Sequence, residues 1–172
     1  EGYSMILYAA DYIREEIPVE PAGITVNFYY SRRHQSVMEA MDAAEMIRRT
    51  IEFCTEHIGP LSFYGDGSFN LIESRCSGGG YAGDGASLAD ELDFTANNLA
   101  DSSKGSSSAQ VTIHELVHQW WGLGNMFDPM DESGIWSAEG LTCYTTYRIV
   151  KALYGEREAQ ASFVDVWQEA AD

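Results

Sequence analysis

Cysteine, positive charge and long apolar runs are all scarce in this chain. The three cysteines, Cys54, Cys76 and Cys143, are odd in number, widely spaced and free of any CxxC pair, so they indicate little. Lys and Arg together number 10 against 27 Asp and Glu. The resulting net charge of −17 argues against nucleic acid as a partner, because phosphate binding needs a basic surface. No apolar run approaches the length of a membrane span, and no signal-peptide pattern is present.

The composition predicts a folded domain. Hydrophobic residues make up 45% of the chain and aromatic residues 12%, which favours a globular fold over disorder. A length of 172 residues fits one domain, or one domain with flanking strands, and is enough for a real core. Because the first residue is Glu1 rather than Met, we expect a piece of a longer protein that lacks N- and C-terminal domains. Its localisation stays open between the cytoplasm and a soluble domain attached to a membrane protein, and its oligomeric state is equally open.

One short segment, residues 114–118, carries the strongest chemical pattern, HExxH. In a helix, His114 and His118 lie one turn apart on the same face, as two zinc ligands require. Glu115 is then placed beside them, where it can hold a water molecule and take its proton. The surrounding residues leave almost no polar face, so we expect a buried helix. Buried histidines and carboxylates are costly without a partner, and a metal is the simplest one.

The limits of this helix are also indicated. Ser107 and Gln110 have the spacing of a capping box, which predicts a helix start after a polar loop at residues 100–108. Gly122 and Gly124 are expected to end it.

A second helix is predicted to begin at Ser137, as its N-cap, and to offer Glu139 in its first turn. HExxH alone also arises by chance, with histidines that are only hydrogen-bonded core residues. Glu139 supplies the third protein ligand, so together the two features predict one Zn²⁺ per chain, held by His114, His118 and Glu139. Cys143, one turn further on, is interpreted as a small buried core residue rather than one that faces the metal.

These residues resemble the M1 family of zinc aminopeptidases, which are gluzincins with a thermolysin-like catalytic domain. The resemblance is specific around the predicted metal and weaker but continuous over most of the chain. It is carried by Gln119-Trp120 after the second histidine and by Trp136-Ser137-Ala138-Glu139-Gly140 before Tyr144.

The resemblance implies an α+β, thermolysin-like zincin fold, with a small mixed sheet whose edge strand packs on helices that include the HExxH helix. It also implies peptide or protein substrates, with Glu115 as the catalytic base. The family's oxyanion-stabilising tyrosine is expected beyond Asp172. Residues 1–22 would be the end of a preceding β-domain or a flanking strand. Residues 23–172 would form the N-terminal part of the catalytic domain and the start of its helical part.

Alternating and helical patterns predict the remaining elements. Strands are expected at residues 3–10, 24–30 and 68–74, the second with Ile24, Val26, Phe28 and Tyr30 on one face. A helix at residues 36–58 is expected to lie across this sheet, with a capping box at Ser36 and Glu39. The Glu139 helix should end at Tyr154, and a last helix should follow from Glu156. The predicted buried positions of that last helix are Ala159, Phe163, Val166, Trp167 and Ala170. His34 and His57 are interpreted as surface residues.

The glycine-rich segment at residues 76–85 contains GxGxxG after a strand, a pattern of dinucleotide sites. No amphipathic helix follows at once and acidic residues surround it, so a close-approach turn into an edge strand is favoured. The resembled family has Gly-x-Met-Glu-Asn about here, where the Glu binds the substrate's α-amine. This chain reads Gly79-Gly80-Tyr81-Ala82-Gly83, without the Glu and the Asn. Gly79, Gly80 and Tyr81 are the candidate substrate-binding residues, along which a peptide could lie as an added strand.

Three hypotheses therefore stand. The chain belongs to a zinc aminopeptidase of the M1 type, to a related gluzincin with endopeptidase specificity, or to a non-catalytic peptide-binding or regulatory zinc domain of a larger protein. The intact Glu115 argues against the third, because a purely structural metal site has no use for a base.

Overall fold

A computed structural model describes residues 7–61, 67–74, 80–83, 86–90, 105–123 and 134–171, with backbone alone for residues 81, 86–90 and 105–108. The fold is α+β, as predicted. Five strands form one mixed sheet in the order β1-β2-β3-β5-β4. They are β1 (Tyr12–Val19), β2 (Ile24–Ser31), β3 (Ser68–Ser74), β4 (Tyr81–Gly83) and β5 (Ala86–Asp90). The pairs β2–β3 and β3–β5 are parallel, whereas β1 and β4 lie antiparallel at the two edges.

The predicted strands at 24–30 and 68–74 are confirmed, and their alternation defines the core. The even-numbered side chains of β2 are buried, including Val26 (0% exposed) and Phe28 (1%). Phe69 and Leu71 of β3 extend the same buried face. Burying one face of a strand in this way fixes its register, because a slip by one residue would expose every core side chain.

The N-terminal strand was predicted in the wrong place. Residues 7–10 are not a strand, residues 1–6 lie outside the described part, and β1 covers Tyr12–Val19 instead. Its charged residues, such as Arg14 and Glu16, face solvent and dilute the apolar signal. Its Pro18 is tolerated because an edge strand has one side free of ladder hydrogen bonds. The division of the chain near residue 22 stays a prediction.

The described helices are α1 (Gln35–Ala40), α2 (Ala43–His57), α3 (Gly105–Val117), α4 (Leu141–Tyr154), α5 (Glu156–Ala159) and α6 (Asp165–Ala171). A π-helical turn, Trp136–Gly140, leads into α4, and another, Gln160–Val164, joins α5 to α6. None of the helices in the described ranges is both long and apolar enough to cross a bilayer.

The helix predicted at residues 36–58 is two helices. The chain breaks at Asp42, which has a left-handed backbone (φ 52°) that interrupts the helical ladder. α1 begins at Gln35 without a side-chain cap, so the capping box predicted at Ser36 is wrong. The predicted end is right, because α2 stops just before Gly59, whose φ is 143°.

Two other helix predictions need correction. α3 begins at Gly105, so residues 105–108 are helical and not part of the predicted loop. Glycine and serine have weak helix propensity, but the packing of the apolar part of α3 outweighs it. Ser137 lies within the π-helical turn and donates to the carbonyl of Gly134 at 2.7 Å, so it is not an N-cap.

Only some of the positions predicted to be buried in the last helix are buried in the structure. Ala159 (0% exposed) and Phe163 (5%) enter the core, whereas Val166 (54%) and Trp167 (42%) are exposed, as is Ala170. The π-helical turn at Gln160–Val164 rotates the following residues away from the predicted face.

A buried carboxylate joins the ends of β2 and β3. Glu73 is 3% exposed and accepts a hydrogen bond from the backbone N–H of Ser31 at 2.8 Å. His34 Nδ1 contacts the same carboxylate, so His34 is half-buried and not the surface residue predicted from the sequence. His57 is exposed, as predicted.

Candidate metal centre

The three predicted metal ligands come together in the structure. His114 lies on α3, His118 in the turn directly after it, and Glu139 in the π-helical turn before α4. His114 Nε2 lies 3.1 Å from Glu139 Oε2 and 3.1 Å from His118 Nε2. His118 Nε2 lies 3.5 Å from Glu139 Oε1. The ligand atoms of all three residues lie within 4.8 Å of one another.

This spacing fits a tetrahedral metal. A zinc ion about 2.0–2.1 Å from each ligand atom keeps neighbouring ligand atoms about 3.3 Å apart. The observed separations of 3.1, 3.1 and 3.5 Å lie around that value. Two imidazoles and a carboxylate are also a donor set that catalytic zinc sites use. Within the described ranges, these three residues form the one group of His, Cys, Asp or Glu whose ligand atoms converge in this way.

Local backbone geometry positions the side chains of His114, His118 and Glu139. The helical turn of α3 brings His118 below His114, with the His118 N–H donating to the His114 carbonyl at 3.2 Å. α3 ends at Val117, before the glycine that was predicted to end it, and Gly124 lies outside the described residues. Gly122 follows with φ 93°, and an added Cβ there would lie 3.2 Å from both His118 Nδ1 and Ala138 Cβ. The π-helical turn that carries Glu139 presents the carboxylate to both imidazoles, and such turns occur often at functional sites.

The outer nitrogens of the two rings have their own partners. His118 Nδ1 lies 3.1 Å from the carbonyl of Trp121 and 3.3 Å from the hydroxyl of Thr142. His114 Nδ1 lies 3.9 Å from Cys143 Sγ. Partners on the outer nitrogen fix the tautomer that leaves Nε2 free to bind a metal.

Cys143 is therefore a half-buried residue that contacts a predicted metal ligand, and not the small buried core residue interpreted from the sequence. The interpretation was wrong because a residue one helical turn after Glu139 also lies next to the outer nitrogen of His114. Burial, together with the nearby Glu139 carboxylate, raises the pKa of the Cys143 thiol, so it is protonated at neutral pH. The sequence analysis did not identify Thr142 as a partner of His118. Its position next to Cys143 in the sequence was the one feature that could have indicated this role.

Electrostatics favour the form of His114 that can bind a metal. Burial and the neighbouring His118 lower the pKa of His114, and this outweighs the opposing effect of Glu139. The ring is therefore neutral at neutral pH, with a lone pair available on Nε2.

Glu115 lines the same cavity as the three predicted ligands. The cavity has a volume of about 340 Å³ and lies between α3, β4 and the π-helical turn. Its lining residues are Gly80, Ala82, His114, Glu115, His118, Gly122, Leu123, Ala138 and Glu139. Glu115 itself is 7% exposed. The Glu115 carboxylate, the three converging ligand side chains and open space for a substrate thus lie side by side.

The predicted substrate-binding residues are only partly described. Gly80, directly before β4, and Ala82, within it, line the cavity, and β4 is the edge strand that the sequence predicted here. Gly79 and the side chain of Tyr81 lie outside the described part of the chain. The Gln119 side chain donates to the carbonyl of Gly83 at 3.1 Å and so ties β4 to the segment after α3. The role of Gly79, Gly80 and Tyr81 in substrate binding stays a prediction.

The fold and the site together define a class, that of the metal-dependent peptidases. The model of one family, the peptidase family M1 domain, matches residues 42–172, which include the whole site. The chain therefore belongs to peptidase family M1, and the family resemblance inferred from the sequence is confirmed.

Individual relatives match over shorter stretches. Leucine aminopeptidase 2 of Vanderwaltozyma polyspora is 35% identical over 66 residues, which are 38% of this chain and 10% of that protein. Leucine aminopeptidase 2 of Emericella nidulans is 33% identical over 70 residues, covering 41% of this chain and 11% of that protein. The structure of native yeast LTA4 hydrolase superposes with a TM-score of 0.61 at 20% identity. That match covers 90% of this chain and 22% of the hydrolase, which supports the fold. The chain thus spans only a minor part of the length of the relatives that it matches.

Proposed function

We propose that this chain hydrolyses peptide bonds with one zinc ion, which His114, His118 and Glu139 hold, and that Glu115 is the general base. The observation that carries the proposal is the convergence of three ligand atoms within 4.8 Å beside a cavity that Glu115 also lines. Membership of peptidase family M1 supports a peptide as the substrate.

The roles of the chain's own residues follow from their placement. A bound zinc ion supplies Lewis acidity at this point of the cavity. Glu115 accepts a proton from the attacking water and returns it to the leaving amine nitrogen, so one carboxylate serves both halves of the reaction. The small residues Gly80 and Ala82 leave room for a peptide along the edge strand β4, where backbone hydrogen bonds can position it.

Removal of the metal tests the proposal directly. We expect treatment of the protein with a chelator to abolish hydrolysis of a fluorogenic peptide, and one equivalent of zinc per chain to restore it. Metal content by elemental analysis, measured in parallel with activity, checks the stoichiometry. The same chelator added to a peptidase without a metal controls for effects on the assay. Hydrolysis that persists at full rate in metal-free protein would contradict the proposal.

A specific observation favours a second candidate, hydrolysis of internal or N-blocked peptide bonds. In the pattern of the family, Ala82 stands where a glutamate binds the substrate's amine, and Ala82 lines the cavity. Of the described lining residues, only Glu115 and Glu139 carry carboxylates, and the proposed mechanism already uses both. The described wall of the cavity thus offers a free α-amine no further anionic partner.

Substitution at Ala82 separates the two candidates. We expect the unaltered protein to cleave a free and an N-acetylated peptide with similar kcat/KM. Ala82→Glu should raise the preference for the free peptide about tenfold, because a hydrogen bond between charged groups forms only with the free amine. Ala82→Gln has nearly the same shape without the charge and serves as the matched control. An unaltered protein that already prefers the free amine strongly would support the aminopeptidase instead.

A further inference from the structure

Gly80, the residue directly before the edge strand β4, comes unusually close to Glu115. A Cβ atom built on Gly80 would lie 2.1 Å from Glu115 Cγ, 2.5 Å from Cδ and 2.6 Å from Oε1. Real Cβ atoms essentially never come within 3.0 Å of a heavy atom to which they are not bonded. The position therefore excludes every residue but glycine as long as Glu115 keeps its present orientation.

The need for glycine here comes from space and not from backbone conformation. Five described glycines have positive φ, and Gly80 is not among them. Any residue could adopt the backbone of Gly80, so only the neighbouring side chain requires its missing Cβ. Because the overlap involves Glu115 Cγ as well as the carboxylate, a small shift at the tip of the side chain would not relieve it.

Two contacts hold β4 in place, so its backbone cannot easily move away from Glu115. β4 pairs antiparallel with β5 from Tyr81 to Gly83. The side chain of Gln119, which follows α3, donates to the carbonyl of Gly83 at 3.1 Å. Because the strand directly after Gly80 is held by these contacts, we expect the side chain of Glu115, rather than the backbone, to move when an atom is added at residue 80.

We propose that Gly80 is a positioning residue for Glu115: its backbone covers the side chain of the base and holds the carboxylate towards the cavity that His114, His118 and Glu139 share. The packing restricts Glu115, which is 7% exposed, to an orientation that faces the proposed metal and the substrate. This inference rests on the proposed role of Glu115 as the base. It gives Gly80 a function that does not depend on contact with the substrate.

Gly80→Ala tests the inference. We expect kcat for a peptide to fall by about 10²-fold or more, since a displaced base loses most of the contribution of general base catalysis. The loss should fall mainly on kcat rather than KM, and zinc content should stay near one per chain, because the three heavy atoms nearest to the added Cβ all belong to Glu115 and none to a proposed metal ligand. Ala170→Val, which adds carbon atoms at an exposed position of α6 away from the site, is the control and should leave kcat, KM and zinc affinity unchanged. Unchanged kcat in Gly80→Ala would overturn the inference.

Pairing with Glu115→Ala keeps the test decisive if Gly80→Ala folds poorly. Glu115→Ala empties the space that the added methyl group needs. Gly80→Ala should therefore lower the urea midpoint in the unaltered protein and leave it nearly unchanged in the Glu115→Ala background. Equal losses in both backgrounds would mean that the methyl group clashes with something else and would refute the proposed contact.

The outcome also separates this inference from the proposed function. If Glu115→Gln retains full turnover, Glu115 is not the base, and the role of Gly80 fails with it. If Glu115→Gln loses turnover while Gly80→Ala keeps it, only the positioning role of Gly80 is wrong.

Discussion

Replacement of Glu115 by glutamine is expected to lower kcat for peptide hydrolysis by about 10²–10⁴-fold, which is the range that general acid–base catalysis contributes. Glutamine has nearly the same shape, so it preserves the packing against Gly80, but it cannot accept the proton of the attacking water. Steady-state kinetics on a fluorogenic peptide would measure the loss.

Zinc content separates loss of the base from loss of the metal. Glu115 is not among the three residues whose ligand atoms converge, so Glu115→Gln should keep about one zinc per chain. Glu56→Gln, an exposed change of the same chemistry on α2, should leave both activity and zinc unchanged. Activity retained in the Glu115→Gln variant would refute the assigned base, whereas loss of zinc together with activity would leave Glu115 a structural part of the metal site.

The candidate site was largely predictable because its main features are local. The separation of His114 from His118 by one helical turn follows from helix geometry alone, so the pattern predicts their convergence without a tertiary structure. Glu139 was predicted from its place in the first turn of a second helix, and the resemblance to the family supported it, although residues 124–133, which lie outside the described part, separate it from the histidines. The structure brings the three together as expected.

The features that were missed depend on contacts between distant segments. The approach of Gly80 to Glu115 joins residues far apart in sequence, so the glycine pattern could indicate a close approach but not what is approached. Cys143 was assigned to the core because a small apolar residue gives no sign of which side of a helix packs against a histidine.

Errors in the fold arose where local preference conflicts with tertiary context. Strand β1 was missed because an edge strand needs only one apolar face, and its charged residues hide the alternation. The break at Asp42 went unnoticed because the apolar spacing continues across it. The exposed Trp167 was assigned to the core because a π-helical turn shifts the periodicity on which the assignment relied.

Replacement of Glu139 by alanine is expected to weaken zinc binding by more than about 100-fold. Loss of an outer partner of a ligand typically costs 10–100-fold in affinity, and loss of a ligand should cost more. Glu139 supplies the only anionic ligand atom of the three, since His114 is neutral at neutral pH. Its removal would leave two imidazoles without a charge to offset that of the cation. Competition with a chromophoric chelator would give the zinc Kd of each variant.

A conservative variant of Glu139 and a surface control distinguish the loss of a metal ligand from the loss of one negative charge. Glu139→Asp keeps the charge on a shorter side chain, so its Kd should lie between those of the unaltered protein and Glu139→Ala. Glu169→Ala removes an exposed carboxylate of α6 and should bind zinc normally, which controls for the loss of one negative charge from a chain of net charge −17. Full zinc affinity in Glu139→Ala would mean that another group is the third ligand. If the unaltered protein itself bound no zinc even after reconstitution, the non-catalytic peptide-binding hypothesis would become the better account, because the convergence of the three side chains would then serve no metal.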